Sequence, residues 1–234
     1  MAELLFYREP ALLDRSRHAG LRYKPSDDFS FSRDTNSVPL LGVEFFEASR
    51  HLPVVFADDA QGHRFPLALL SLANSRNGQL KDDGRWNGGY TPAFIRRYPF
   101  ALTDDKNVCF DQAAAHFAGE AGEALFDGEA PTKTLESVMN FLRQFDAEHA
   151  RTREFCAALA ERELFKPFNL QVMTADRSPL RLGGLFVIDE AKLHQLDGAT
   201  VDTWFRQGWL AWIYAQLHSL GAFKRLGEQL DTRA

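Results

Sequence analysis

One segment of the chain, GRWNGGYTPAFIRRYPF (residues 84–100), concentrates arginine and aromatic side chains. Guanidinium groups bind carboxylates and phosphates through paired N–H donors, and they also stack on aromatic rings. The segment therefore predicts a contact site for a small anionic ligand, a peptide or a protein partner. The candidate ligand-binding residues within it are Arg85, Trp86, Tyr90, Arg96, Arg97 and Tyr98.

The backbone of the same segment also favours a site. Thr91 and Pro92 are typical of a helix start, where free N–H groups form a seat for an anion. Gly84, Gly88 and Gly89 would allow the backbone to approach a ligand closely. A ligand that carries a negative charge is therefore the first expectation for this helix start.

A structural role explains the same residues without any ligand. Arg96 and Arg97 are successive, so on a helix their side chains point about 100° apart and do not easily line one small pocket. In this interpretation one arginine pairs with an acidic residue such as Asp82 or Asp83, and Tyr98 belongs to the core. The sequence leaves both interpretations open.

Glu44 completes the candidate set, because it lies in the otherwise apolar run LLGVEFFEA. A buried carboxylate requires a partner. An arginine of the 96–97 pair would supply that partner in a structural ion pair. The alternative is a site carboxylate whose pKa burial has raised.

The histidines and cysteines do not predict a metal site. The seven histidines form no His-Glu-x-x-His motif and no comparable cluster, and Asp111 with His116 is a weak pair. His149 and His218 fall on apolar helix stripes and are interpreted as core or boundary residues. No Walker loop and no G-x-S-x-G motif occurs. The sequence therefore names no cofactor and no catalytic residue.

The composition of the chain limits the kinds of partner and location that we expect for this protein. The chain has 234 residues and a net charge of −5, which argues against a nucleic-acid partner. Its longest apolar runs, FPLALLSLA and WLAWIYAQL, are about half of the ~20 residues that a spanning helix needs, so we expect no membrane insertion. Cys109 and Cys156 are isolated and are expected to be reduced core thiols of a cytoplasmic protein.

Hydrophobic periodicity predicts the elements that must position these residues. The predicted fold class is α+β, a mostly antiparallel sheet with helices packed on one side and one long central helix. An irregular lead-in (1–36), a single domain (37–226) and a frayed tail (227–234) are expected. The predicted helices cover 37–50, 91–98, 131–163 and 209–226, with helix caps at Asp189 and Thr200. The predicted strands cover 52–57, 65–72, 79–81, 100–102, 107–110, 169–174 and 179–189.

Several motifs in this order resemble the SapC family of bacterial proteins. They are NSVPLLGVEF, LPVVFADD, GRWNGGYTPAFIRRYPF and GGLFVIDEAKLHQL with GWLAWIYAQLHSL, and the resemblance covers roughly residues 30–226. The family carries a surface-layer label and a "peptide transporter permease" label, and the hydropathy of this chain disagrees with the second. Members are often encoded near halogenase-like enzymes, cupin-like proteins and outer-membrane receptors, which implies an accessory role.

The sequence thus favours a soluble, cytoplasmic, non-catalytic binding or accessory protein that recognises a peptide, a protein partner or a small anionic ligand. An enzyme acting on a small or peptide substrate is one alternative, with an iron-dependent oxygenase as a special case. A surface-layer-associated protein is another. An open arginine and aromatic patch would favour binding, whereas a deep pocket where titratable groups meet would favour an enzyme.

Overall fold

The computed structural model describes residues 4–119, 121–173 and 179–231. Its α+β architecture, antiparallel sheets and single long helix confirm the predicted fold class. The strands are β1 (Pro10–Leu12), β2 (Arg22–Tyr23), β3 (Ser37–Pro39), β4 (Val54–Asp58), β5 (Arg64–Leu69), β6 (Phe100–Leu102), β7 (Val108–Asp111), β8 (Glu123–Ala124), β9 (Phe126–Asp127), β10 (Ala130–Pro131), β11 (Phe165–Met173) and β12 (Pro179–Ile188). The helices are α1 (Arg15–His18), α2 (Phe45–Ala48), α3 (Ala93–Arg96), α4 (Lys133–Glu161), α5 (Glu190–Leu193), α6 (Gly198–Gln207), α7 (Trp209–Ser219) and α8 (Phe223–Asp231).

The main sheet has five strands in the order β11-β12-β4-β5-β3, and all neighbours are antiparallel. Alternate residues of β4 face opposite sides, as the two-residue period of a strand requires. Val54 and Phe56 join the core formed with α4 and α7. Val55 faces the other side, where Phe223 and Leu226 of α8 cover it. Helices therefore pack on both faces of this sheet, although the sequence led us to expect them on one.

Helix α4 forms where the apolar spacing predicts it. Thr132 caps its start by accepting a hydrogen bond from the Leu135 amide. Apolar side chains three and four positions apart, including Leu142 and Phe155, are buried against the sheet and its neighbours. Glu163, with a φ of 51°, lies just past the end of the helix. The long helix thus buries apolar residues near its start, at Leu135 and Leu142, and near its end, at Phe155, Cys156 and Leu159.

A smaller sheet, ordered β1-β7-β6, packs beside the main one. The hairpin of β6 and β7 confirms the predicted strands at 100–102 and 107–110. The N-terminal 36 residues contribute β1, which pairs with β7, and β2, which pairs with β8. This part of the chain is therefore joined by backbone hydrogen bonds to strands about a hundred residues away.

Three local predictions are wrong. Residues 37–39 form a strand instead of a helix start, because they pair with β5; the helical turns begin only at Gly42. Residues 79–81 make a single bridge, Leu80 with Trp86, instead of a strand. Asp197, and not Thr200, caps α6, because the Asp197 side chain accepts the Thr200 amide.

The C-terminal half departs from the prediction at the ends of elements. Strand β11 starts at Phe165, before the predicted residue, and the predicted helix 209–226 is divided by a 3-10 turn over Leu220–Ala222. Residues 175–178, which separate the last two predicted strands, and the last residues of the tail lie outside the described residues. In the described part of the chain, no helix is both long enough and apolar enough to cross a membrane.

Candidate functional site

The two adjacent arginines of the candidate segment lie in different environments. The Arg96 side chain is exposed, and its Nε donates to the carbonyl of Thr91 at 3.0 Å. Arg97 is 8% exposed, and its guanidinium lies 4.0 Å from the ring centre of Phe94 and 4.8 Å from that of Phe145. The 100° step of helix α3 therefore sends one arginine to solvent and the other inward.

Glu44 lies against the start of α3 and is only 4% exposed. Its Oε1 accepts hydrogen bonds from the Ala93 amide at 2.7 Å and the Tyr90 hydroxyl at 2.8 Å, and its Oε2 accepts from the Leu41 amide at 2.9 Å. We call these four residues the Glu44 corner. The anion seat predicted at the helix start is thus filled by a carboxylate of the chain itself.

The predicted ion pair between Glu44 and an arginine is absent from the described residues. Arg96 reaches Glu44 only indirectly, because its Nη2 donates to the Tyr90 hydroxyl at 3.3 Å. Burial raises the pKa of Glu44, and the three hydrogen bonds oppose that rise. Burial, with the neighbouring Glu44 carboxylate, raises the pKa of Tyr90 to about 12.

Tyr98 is held on the opposite side of α3. Its hydroxyl donates to Asp111 Oδ2 at 2.8 Å, and its ring stacks on Phe31 at 3.9 Å. The fully buried Asp111 carboxylate also accepts the backbone amides of Arg8 and Glu9. Burial alone would raise the pKa of Asp111, but these hydrogen bonds together lower it. Tyr98 therefore acts as a packing and hydrogen-bonding residue in this structure.

Arg85 and Trp86 contact residues that lie outside the Glu44 corner. Arg85 is exposed and pairs with Asp83, Nη2 to Oδ2, at 2.6 Å. Trp86 packs edge-to-face on Phe29 at 5.9 Å.

The glycines of the segment approach the chain's own side chains. A Cβ on Gly84, whose φ is +82°, would lie 2.2 Å from Asp28 Oδ1, and one on Gly89 would lie 2.9 Å from the His51 ring. Both glycines are therefore required by local packing.

Arg97 lines a cavity of about 510 Å³ that we call the basin. The basin lies between α4, the β4–β5 turn, the β6–β7 turn and the stretch after β3. Its floor is apolar and is formed by Leu40, Leu41, Phe94, Leu142, Phe145 and Cys156. Its basic residues are His63, Arg64, Arg97, Lys106, His149 and Arg153, and its acidic residues are Asp59, Asp104 and Asp146.

Several charges of the basin are already paired. Asp146 accepts from Lys106 Nζ at 2.6 Å. Asp59 Oδ1 accepts the amides of Gln61 and His63. Arg153 is exposed and makes no ion pair with the residues that the structure describes. A ligand in the basin therefore meets an apolar floor and a guanidinium group whose charge is still available.

A second cavity of about 660 Å³, which we call the shelf, continues from the basin along α4. The two cavities share His63, Arg64, Arg153 and Cys156. Three alanines of α4, Ala150, Ala157 and Ala160, form one wall of the shelf, and the β4–β5 turn at Gly62 forms the other. The basin and the shelf therefore adjoin one another at these four residues, and we call the two together the trough.

The titratable groups of the trough favour binding over nucleophilic attack. Burial raises the pKa of the Cys156 thiol to about 12, so it is not a thiolate at neutral pH. Partial desolvation, then the charges of Arg153 and Arg97, lower the pKa of His149, so its imidazole is neutral at pH 7. Within residues 4–119, 121–173 and 179–231, no group of three or more His, Cys, Asp or Glu side chains could hold a metal ion.

Sequence reasoning missed most of this trough. His149 was expected in the core or at its boundary, but it is exposed at the rim of the basin, and His218 is also exposed. Arg153 and the three alanines lie on the exposed face of α4, and nothing in their spacing distinguishes them from other exposed helix residues. Of the predicted candidates, Arg97 alone is among the residues that line the basin. The aromatic cluster near the C-terminus is largely core: Trp204, Trp209 and Trp212 are buried, and Phe205 is exposed.

The geometry describes an α+β protein with a polar-rimmed, apolar-floored trough on one long helix. The family model SapC matches residues 13–226, which include every residue of the trough. The chain therefore belongs to the SapC family. No curated protein matches it, and no solved structure matches it.

Proposed function

We propose that this SapC-family protein is a non-catalytic binding or accessory module that takes an anionic ligand in the basin. The observation that carries the proposal is the meeting of Arg97, Arg153 and His149 above an apolar floor. A cavity of this size whose apolar floor is flanked by charged side chains can take a ligand that has an apolar body and a charged group. The apolar body of a ligand would lie on the apolar floor of the basin, and its negative group would face the guanidinium groups.

The Glu44 corner has a positioning role in this proposal. Its single carboxylate connects Leu41 to Ala93, and so links two stretches that line the basin. Thr152 adds the third wall, because its Oγ1 accepts the Gly42 amide at 2.9 Å from within α4. A site that binds without large rearrangement requires such fixed walls. In this proposal Glu44, Tyr90 and Tyr98 support the ligand contact, and Arg97 makes it.

We also propose a cytoplasmic location. The support is limited to the two cysteines, Cys109 and Cys156, which are buried free thiols. Buried unpaired thiols are typical of proteins in a reducing compartment.

Calorimetric titration with 4-phenylbutyrate, an apolar body with one carboxylate, tests the proposed function. Its neutral amide serves as the matched ligand. We expect the carboxylate to bind and the amide to bind about tenfold more weakly, because the charge-assisted hydrogen bonds are lost. Equal binding of acid and amide, or no binding of either, would overturn the proposal.

The matched pair of variants is Arg153→Ala and Arg143→Ala. Both arginines are exposed on α4, but Arg143 does not line the basin and instead donates to Asn140 at 3.0 Å. Arg153→Ala should weaken 4-phenylbutyrate binding about tenfold, and Arg143→Ala should leave it unchanged. Equal effects of the two changes would show a general charge effect and would place the site elsewhere.

A further inference from the structure

We infer that the trough binds the carboxyl-terminal end of an extended peptide, with the terminal carboxylate in the basin and the preceding residues along the shelf. This inference rests on the proposed function and names the ligand class for the same site. Nothing in the family match assigns such a ligand.

The first support is the length of the trough. The lining residues on α4 begin at Leu142 in the basin, and the shelf itself covers the eleven residues from Ala150 to Ala160. Eleven residues of α-helix correspond to roughly 16 Å. An extended chain advances roughly 3.3 Å per residue, so about five peptide residues fit beside this stretch. A compact small carboxylate would occupy the basin and leave the shelf unused.

The second support is the shape of the shelf. Ala150, Ala157 and Ala160 carry only methyl side chains, so α4 leaves room for another chain at these three positions, and Arg153 and Glu154 are its charged residues on the shelf. The opposite wall is the β4–β5 turn, where no atom lies within 4 Å of the position that a Cβ on Gly62 would take. The space between these two walls is open. An extended backbone can lie in it with its side chains facing alternately toward the helix and away from it.

The third support is the distribution of charge, which sets the direction of the peptide. Arg97 lines the basin, together with the apolar floor, and Arg153 lies where the basin and the shelf meet. Two of the basin's aspartates, Asp59 and Asp146, already accept hydrogen bonds from neighbouring groups of the chain. A terminal carboxylate matches the paired donors of a guanidinium group, and an apolar last side chain matches the apolar floor of the basin. Glu154 lies on the shelf, where an acceptor suits the N–H groups or a basic side chain of the upstream residues. The complementary charges therefore favour a peptide that ends in the basin.

A length series tests the inference. The probes are acetyl-Leu, acetyl-Ala-Leu and the same sequence extended with alanine to seven residues, each with a free carboxylate, and the five-residue peptide amide. We expect affinity to rise with length up to about five residues and then to level off. Amidation of the carboxyl terminus should cost about tenfold. An amide that binds as tightly as the acid would overturn the proposed direction.

Ala157→Trp is the informative variant, because the ring would fill the shelf and leave the basin open. It should abolish the gain from residues two to five and leave acetyl-Leu binding unchanged. Ala160→Phe provides a second block at the far end, in case the first variant is unstable, and thermal unfolding monitors the fold of both. An affinity for Ala157→Trp that still rises with length would overturn the inference.

The outcomes separate this inference from the proposed function. If 4-phenylbutyrate and acetyl-Leu bind but longer peptides gain nothing, the peptide inference is wrong and the basin remains a small-ligand site. If none of these carboxylates binds, the proposed function itself is wrong.

Discussion

The Glu44 corner and the basin are neighbouring regions that share Leu41, and they treat charge in opposite ways. At the corner, one carboxylate receives three hydrogen bonds from its own chain. At the basin, the exposed guanidinium of Arg153 has no ion-pair partner among the described residues, and an open cavity lies in front of it. The first arrangement uses its polar groups inside the fold, whereas the second leaves the charge of Arg153 without an ion pair among the described residues.

The difference shows how a polar residue in an apolar neighbourhood should be interpreted. Glu44 has the features of a site residue, because it is buried, has a raised pKa and lies at a helix start. Its partners, however, are all backbone amides and a tyrosine of the same chain. Perturbed pKa values occur in structural hydrogen-bond networks as well as in functional sites. At Glu44 the chain itself supplies the hydrogen-bond donors, which is the mark of a structural network.

The largest effect is expected from Glu44→Ala. The change leaves the amides of Leu41 and Ala93 and the Tyr90 hydroxyl without their acceptor in a buried place. The expected loss in the free energy of unfolding is about 3 kcal/mol, measured by urea unfolding at pH 7. Glu47→Ala is the control, since Glu47 is exposed and pairs only with Arg50 at 3.2 Å. A loss no larger than that of the control would show that the corner does not hold the fold.

A second prediction separates the two adjacent arginines. Arg97→Met keeps much of the buried side-chain volume and removes the positive charge, so affinity for 4-phenylbutyrate should fall about tenfold. Arg96→Ala removes an exposed side chain on the other side of α3, and the affinity should not change. Equal losses for both variants would mean that the ligand contacts the outer surface of the segment and not the basin.

The third prediction uses the opposite pKa shifts of two buried carboxyl groups. The pKa of Glu44 is raised above its ordinary 4.5, so the native state binds this proton more tightly than the unfolded state does. Its stabilising contribution is present at low pH and is lost as pH rises through the raised pKa. The free energy of unfolding of the wild type relative to Glu44→Gln should therefore decrease as pH rises above 4.5.

Asp111 should show the opposite slope. Its pKa is lowered in the native state, so its contribution is present at neutral pH and is lost as pH falls through the lowered pKa. The wild type relative to Asp111→Asn should therefore lose stability toward acid. Urea unfolding of the wild type and both variants between pH 3 and pH 8 measures the two slopes. Slopes of the same sign would contradict the assigned environments.

The smallest effects are expected at the outer surface of the segment. Arg85→Ala removes an exposed pair with Asp83, and no measurable change in thermal unfolding is expected. Arg96→Ala should cost less than about 1 kcal/mol, because its two hydrogen bonds are solvent-exposed. A larger loss at Arg96 would show that it supports Glu44 through Tyr90 more strongly than its exposure indicates.

The elements with strong local signals were predictable from the sequence. Helix α4 follows from its apolar spacing and the β4–β5 and β6–β7 hairpins from β-branched and aromatic runs. The strand at Ser37–Pro39 was not predictable, because the apolar residues that follow it favour a helix. Only its pairing with β5 makes this stretch a strand. Tertiary hydrogen bonding overrode local propensity there.

The sequence by itself determined that residues 84–98 carry concentrated charge and aromatic character, that Glu44 would need a partner, and that one long amphipathic helix crosses the domain. Only the tertiary structure joined Glu44 to the start of α3, turned Arg97 inward, and set it beside His149 and Arg153 of α4. The physical reason is the separation along the chain over which each kind of interaction acts. Periodicity and capping act over a few neighbouring residues, whereas the trough is formed by side chains that packing brings together from distant parts of the chain.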